Sequence, residues 1–162
     1  MADVVLRSLV RSDAPHVHAV ALEAWQFTYR GIFSQEFIQE FVDKYYSADS
    51  ILSLFEQIES AVMFFDAAID EQKIVGFCNS IYDGGAQLFR IYLLPSYIGR
   101  GIGSSLLNLG EQFLARHGIS EYYCFVHARN EIGKKFYAKH GFRHVTEKDH
   151  DDEWYLAREM SE

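Results

Sequence analysis

The run from Leu88 to Phe113 constrains the fold more than any other part of the chain. Leu88-Phe89-Arg90-Ile91-Tyr92-Leu93-Leu94 is largely apolar and stops at Pro95, and Ser96-Tyr97-Ile98-Gly99-Arg100-Gly101-Ile102-Gly103 follows. From there Ile102, Leu106, Leu109 and Phe113 recur three or four residues apart, the period of an amphipathic helix. A strand, a glycine turn and a helix N-terminus aim several unpaired backbone N–H groups at one point. Three glycines at alternate positions let the backbone approach a ligand and take φ values that a Cβ forbids. The concavity suits phosphate oxygens, and the helix dipole adds to the attraction. The competing reading is a plain strand-to-helix connection. Two nucleotide motifs do not fit. A P-loop needs Lys and then Ser or Thr after its last glycine, where this chain has Ser104-Ser105. The dinucleotide fingerprint needs another glycine further on, and it usually lies in the first βαβ unit.

The stretch resembles the acetyl-CoA loop of the GNAT superfamily of N-acetyltransferases, Gln/Arg-x-x-Gly-x-Gly/Ala, which falls here on Ile98 to Gly103. Gly101 and Gly103 match, and Ile98 departs from Gln or Arg. The departure removes one side-chain contact and leaves the backbone donors. A second stretch, Asn130-Glu131-Ile132-Gly133-Lys134-Lys135-Phe136-Tyr137-Ala138-Lys139-His140-Gly141-Phe142, resembles the superfamily's Asn-x-x-Ala-x-x-Phe-Tyr-x-x-x-Gly-Phe. Only Gly133 departs, a small residue in place of Ala. Taken alone, Asn130 reads as a helix cap and Phe136-Tyr137 as core. The two signatures in this order identify the chain as a member of the superfamily.

Periodicity along the chain agrees with that order of elements. Val4 to Leu9 reads as a strand, and Ser12-Asp13-Ala14-Pro15 as a capped helix start. The helix runs towards Trp25. Ser34 caps a second helix bearing Phe37, Ile38, Phe41 and Val42, and Ser47 or Asp49 opens a third bearing Ile51, Leu54, Phe55 and Ile58. Strands follow over 61–69, 74–82 and 87–94, with a polar turn at Asp70 to Lys73 and a hairpin turn at Asp83-Gly84-Gly85. The helix from Gly101 ends near His117-Gly118, Tyr122 to His127 is a strand, and a short helix runs from Asn130 to Gly141. Phe142 begins a last pair of strands around the acidic turn Glu147 to Glu153. The expectation is one domain over residues 1–162, an α/β GNAT fold. Its mixed, mostly antiparallel sheet has about seven strands, with helices on both faces.

Charge excludes some functions. A formal net charge of −8 argues against non-specific nucleic-acid binding, which rests on Lys and Arg neutralising phosphates. Cys78 and Cys124 lie far apart in apolar runs and read as buried free thiols of a reducing compartment. Neither a signal peptide nor a run of transmembrane length is legible, so a cytoplasmic protein without a membrane partner is expected. His150 beside Asp149, Asp151 and Asp152 reads as a solvated turn, and no metal is expected.

The resemblance implies the chemistry. Acetyl-CoA supplies the acyl group, and a neutral amine attacks the thioester directly. The strand before the loop brings Ile91, Tyr92 and Leu93 to the pantetheine arm. Gly99, Arg100, Gly101, Ile102, Gly103 and Ser104 hold the pyrophosphate, and Asn130 contacts the pantetheine side. Tyr137, in the Phe-Tyr pair, is the general acid for the departing thiolate. The positions where related enzymes carry a Glu base hold Gln87 and Phe125, and neither can act as one. His127, on the same strand face as Phe125, is the candidate base, against a structural His at a strand end. Glu23 is a fainter candidate, and a relay through water is equally open. Cys124 has no His/Asp partner pattern that would make it a nucleophile.

The stretch Ala24-Trp25-Gln26-Phe27-Thr28-Tyr29-Arg30-Gly31-Ile32 is similar to a Trp-x-x-Thr-Tyr-x-Gly-Ile pattern in a subset of the superfamily. That subset includes polyamine (spermidine/spermine) acetyltransferases of the PaiA type. It implies a small-molecule amine as acceptor, with Trp25 and Tyr29 binding it through aromatic faces. The competing reading has these rings only packing the helix on the sheet. Acetylation of a protein or peptide, or acyl-CoA binding without catalysis, stay open as alternatives, and so does a homodimer.

Overall fold

The computed structural model describes residues 3–82 and 85–160. Its strands are β1 (Val5–Ser8), β2 (Met63–Asp70), β3 (Lys73–Tyr82), β4 (Ala86–Leu93), β5 (Glu121–His127), β6 (Arg143–His144) and β7 (Glu153–Glu159). The α-helices are α1 (Ala14–Tyr29), α2 (Gln35–Tyr45), α3 (Ala48–Leu52), α4 (Phe55–Glu59), α5 (Ile102–Arg116) and α6 (Glu131–Lys139). The strands form one sheet in the order β1-β2-β3-β4-β5-β7-β6. Every neighbouring pair is antiparallel except β4 and β5. The expected α/β architecture holds. Among the described residues no helix is long and apolar enough to cross a membrane.

Strand alternation sends side chains to two cores. Phe65, Ala67 and Phe77 pack under α1 to α4 with Val17, Ile38, Val42 and Ile51, all nearly inaccessible. Phe64, Ala68, Val75 and Cys78 face the other way, to Leu106, Leu107 and Leu114 of α5 and to Tyr137 of α6. Cutting a ring such as Phe77 back to Ala in so dense a layer costs about 3–5 kcal/mol.

Local chemistry accounts for most element ends. The Ser34 and Ser47 hydroxyls accept the N–H groups of Phe37 and Ser50, each at 3.1 Å, as expected of caps. Glu71 and Gln72 both take positive φ, 49° and 69°, which turns β2 tightly into β3. Asp83 and Gly84 of the expected hairpin turn lie outside the described residues, but Tyr82 and Ala86 beside them do pair.

Two expectations need correction. The third helix is two, because Ser53 and Leu54 make a tight turn between α3 and α4, with the Ser53 hydroxyl bonded back to the Ser50 carbonyl at 2.6 Å. Asp13 stands at the start of α1 but does not cap it. Its carboxylate accepts the Val10 N–H at 2.8 Å and binds Arg7 at 2.7 and 2.9 Å instead. The expected last pair of strands is present: β6 has two residues and pairs with β7, and the segment between them contains a single 3₁₀ turn over Thr146–Lys148.

Candidate active site

The site opens where β4 leaves β5. The two strands are in register only at Gln87 and Tyr123, whereas β3 follows β4 as far as Gly76 opposite Leu93. Between Asn79–Arg90 and Ser80–Leu88 the register slips by one residue, a bulge that bends β4 at this point. Beyond Gln87 the β4 edge towards β5 therefore has no strand partner among the described residues. At Gly76 β3 approaches the parted strand closely, since a Cβ there would collide with the Leu93 side chain.

A cleft of about 280 Å³ fills the gap. Ile91, Tyr92 and Leu93 line it from β4, Ile98, Gly99 and Gly103 from the glycine loop, and Phe125 and Val126 from β5. Asn130, Ile132, Gly133, Phe136 and Tyr137 close it from α6, and Thr28 and Tyr29 from the end of α1. So Ile91, Tyr92, Leu93, Gly99, Gly103, Asn130, Tyr137 and Tyr29, distant in sequence, share one cavity.

At one end lies the N-terminus of α5. Gly99 and Gly101 have φ of 84° and 83°, and each has open space where a Cβ would stand, so backbone conformation is what demands glycine there. Gly103 answers to packing: its Cβ would meet the Phe136 ring at 3.1 Å. No side chain caps α5, unlike α2, α3 and α6. Its first N–H groups are thus free for an anion. Arg100 lies with its guanidinium 4.7 Å from the Tyr97 ring centre, beside the loop. The Ser104 hydroxyl is hydrogen-bonded to His140 Nε2 at 2.8 Å.

At the other end three tyrosines meet. The Tyr29 and Tyr92 hydroxyls are 2.9 Å apart, and Tyr137 is buried beside them. Burial pushes the Tyr29 phenol up to about 12, with the hydrogen bond to Tyr92 acting the other way. Burial, and then the neighbouring Cys124 thiol, raise Tyr137 well above the usual phenol range. Tyr137 thus keeps its proton at neutral pH. Burial pushes the Cys124 thiol up as well, which leaves it a poor nucleophile. Asn130 caps α6, its Oδ1 accepting the Gly133 N–H at 2.9 Å.

Of the residues singled out in the sequence, Glu23 is exposed on α1, Ile102 is buried in the core under α5, and His127 and Trp25 also stand outside the cleft. His127 is buried and does not line the cleft; its Nδ1 accepts the Arg129 N–H at 3.1 Å, and its ring meets Phe33 edge-on at 5.2 Å. Trp25 lies behind Tyr29, ring centres 4.3 Å apart, and lines a neighbouring cavity. Conversely, Glu153, which the sequence places only in an acidic turn, belongs to the site's surroundings. It pairs with His127 across β5 and β7, is half-buried, and its charge acts on Tyr29. Burial lifts its carboxyl above the usual range, with His127 opposing. The β5–β7 register is the signal that finds it.

The acetyltransferase (GNAT) family profile matches residues 22–142. The chain belongs to the GNAT family. It is 33 % identical to a spermidine N(1)-acetyltransferase of Thermoplasma acidophilum over 151 residues, 92 % of this chain and 93 % of that one. The crystal structure of the PaiA N-acetyltransferase from T. acidophilum in complex with coenzyme A superposes with a TM-score of 0.92 at 30 % identity, covering 97 % of this chain and 99 % of that one. A GNAT-family acetyltransferase from Staphylococcus aureus shares the fold at 17 % identity and a TM-score of 0.77, covering 98 % and 100 %. As a GNAT acetyltransferase the chain takes its acyl group from acetyl-CoA. Its residues fit that donor, with an uncapped helix N-terminus for phosphate oxygens, a free strand edge for an amide-bearing arm and apolar walls between them.

Proposed function

We propose that this enzyme acetylates a primary amine of a small polyamine such as spermidine or spermine, by direct attack, with Tyr137 as general acid. The observation that carries the reading is the position of Tyr137: buried, protonated, and facing the cleft where β4 and β5 part. In this reading Gly99 to Ser104 bind the pyrophosphate through backbone N–H groups. The free edge of Ile91 to Leu93 holds the pantetheine arm, and a strand N–H there meets the carbonyl oxygen as charge develops. Asn130 borders the same arm. The Tyr137 proton neutralises the departing thiolate, a role worth about 10²–10⁴ in rate.

The acceptor enters beside Tyr29, Thr28 and Phe125. Glu153, half-buried, acts through its charge on Tyr29 at this end, and aromatic faces with a carboxylate suit a polycation. The relative from T. acidophilum, a spermidine N(1)-acetyltransferase, supports the same class. His127 and Glu153 face each other across β5 and β7, and the charge of Glu153 reaches Tyr29, so in this reading the amine's proton leaves through them or through water.

The test is CoA-thiol release from acetyl-CoA with spermidine, spermine, lysine and peptide amines, with Tyr137→Phe in parallel. A polyamine preference, and loss of about 10²-fold in kcat with Tyr137→Phe at unchanged CoA affinity, are expected. Preference for peptide amines would sink the acceptor class, and full activity of Tyr137→Phe would sink the acid.

A further inference from the structure

Beneath α1 to α4 lies a second cavity, of about 460 Å³. Arg90 and Tyr92 of β4 contribute to it, with Trp25, Phe41, Tyr46 and Leu54 around them. Tyr92 is common to this cavity and the cleft. The aromatic wall is ordered: Trp25 stacks on Phe41 with centres 4.3 Å apart and packs 6.0 Å from Tyr92.

Arg90 is the only charged residue among those described that line the cavity, and no described carboxylate makes an ion pair with it. Its guanidinium is nonetheless held in place. Nη1 donates to Asn79 Oδ1 at 3.1 Å, and Asn79, wholly buried, donates its own amide to the Phe64 carbonyl at 3.1 Å. The Tyr46 ring lies 5.0 Å from the guanidinium carbon. An amide oxygen and a ring face orient this charge without neutralising it. The buried Trp25 indole N–H lies beside the Tyr46 hydroxyl and has no well-aligned acceptor among the described residues. A positioned cation beside an aromatic wall favours acceptor oxygens on a flat apolar body, and a guanidinium matches a carboxylate with two parallel bonds.

We propose that this cavity is a binding site for a small organic carboxylate with a planar apolar body, of arylacetate size, held by Arg90 with the Trp25 and Phe41 rings against its body. The site is separate from the acceptor site of the polyamine reading, because a polycation would meet the Arg90 charge.

The experiment is calorimetric titration of the purified full chain with phenylacetate, with and without saturating CoA. Phenylacetamide serves as the neutral probe and spermidine as the cationic competitor. One-to-one binding of phenylacetate is expected, indifferent to CoA and spermidine, and weaker by about tenfold or more for the amide and for Arg90→Gln. No binding of phenylacetate to the folded chain, equal binding of the amide, unchanged binding by Arg90→Gln, or displacement by CoA or spermidine would each overturn the proposal. Should Arg90→Gln not fold, Leu54→Phe narrows the cavity from the helix side and should exclude phenylacetate; retained binding there also overturns it. The readout is equilibrium binding without turnover, so it stands or fails apart from the polyamine reading.

Discussion

The Tyr29 hydroxyl, at the end of α1, and the Tyr92 hydroxyl, in β4, are hydrogen-bonded at 2.9 Å across the floor of the cleft. The bond ties the helix at the acceptor end to the strand that lines the cofactor side. Both phenols are buried and held above their usual pKa by that burial, so both stay neutral at physiological pH. Replacing one by Phe strands the other hydroxyl, at a cost of about 1–3 kcal/mol, whereas replacing both removes the pair cleanly. Urea unfolding should therefore show Tyr29→Phe/Tyr92→Phe losing less stability than the sum of the single variants. Additive losses would mean that the hydroxyls do not satisfy one another.

Gly133 and Asn130 make a second close relationship. The superfamily pattern carries Ala at 133, but a Cβ here would come within 2.7 Å of Asn130 Nδ2 and 3.0 Å of Val126 Cγ2. Gly133→Ala should push the Asn130 amide off the Gly133 N–H, costing about 1 kcal/mol as a lost helix cap. If Asn130 also serves the cofactor, CoA affinity should fall with it. A thermal melt and CoA titration of the one variant read both effects, and an unchanged melting temperature would show that Asn130 gives way freely.

The sequence carries the fold further than the site. Apolar periods place β2, β3, β4, α5 and β5 because each buries one or two faces, and burial leaves a period in the residues. The glycine loop was legible because positive φ at Gly99 and Gly101 demands glycine. The break between α3 and α4 was not, because Ser53 and Leu54 keep the apolar spacing of one helix. Asp13 looked like a cap since its partner, Arg7, acts across a turn that spacing does not reveal. Glu153 is not legible for a similar reason: its meaning lies in the β5–β7 register, which brings it to His127. Gly133 looks interchangeable with Ala in the sequence because spacing does not show the Asn130 amide that lies against it.

Glu153 offers a test of the acceptor end that leaves the thioester chemistry aside. If its carboxylate attracts the amine, Glu153→Gln should raise KM for spermidine about tenfold with little change in kcat, the signature of lost ground-state attraction. A monoamine of matched length should suffer less. A fall in kcat at constant KM would instead place Glu153 on the proton's route.

Asp13 should govern acid stability at the start of α1. Its carboxylate is bidentate to Arg7 and accepts the Val10 N–H, joining β1 to α1. Burial works to raise its pKa, but the Arg7 and Val10 hydrogen bonds outweigh it and the net shift is downward. A depressed folded-state pKa contributes stability that is fully present above the unfolded value, about 3.9, and is lost as pH falls through the folded one. Arg7 is 40 % exposed, so solvent screens the pair and the contribution at neutral pH is about 1 kcal/mol. Asp13→Asn should thus unfold at lower urea than the parent at pH 7. The gap should shrink steadily below about pH 4, as the parent's own carboxylate is protonated. A gap that stays constant down to pH 2 would mean that the carboxylate's charge contributes nothing, and that the variant is weakened through packing alone.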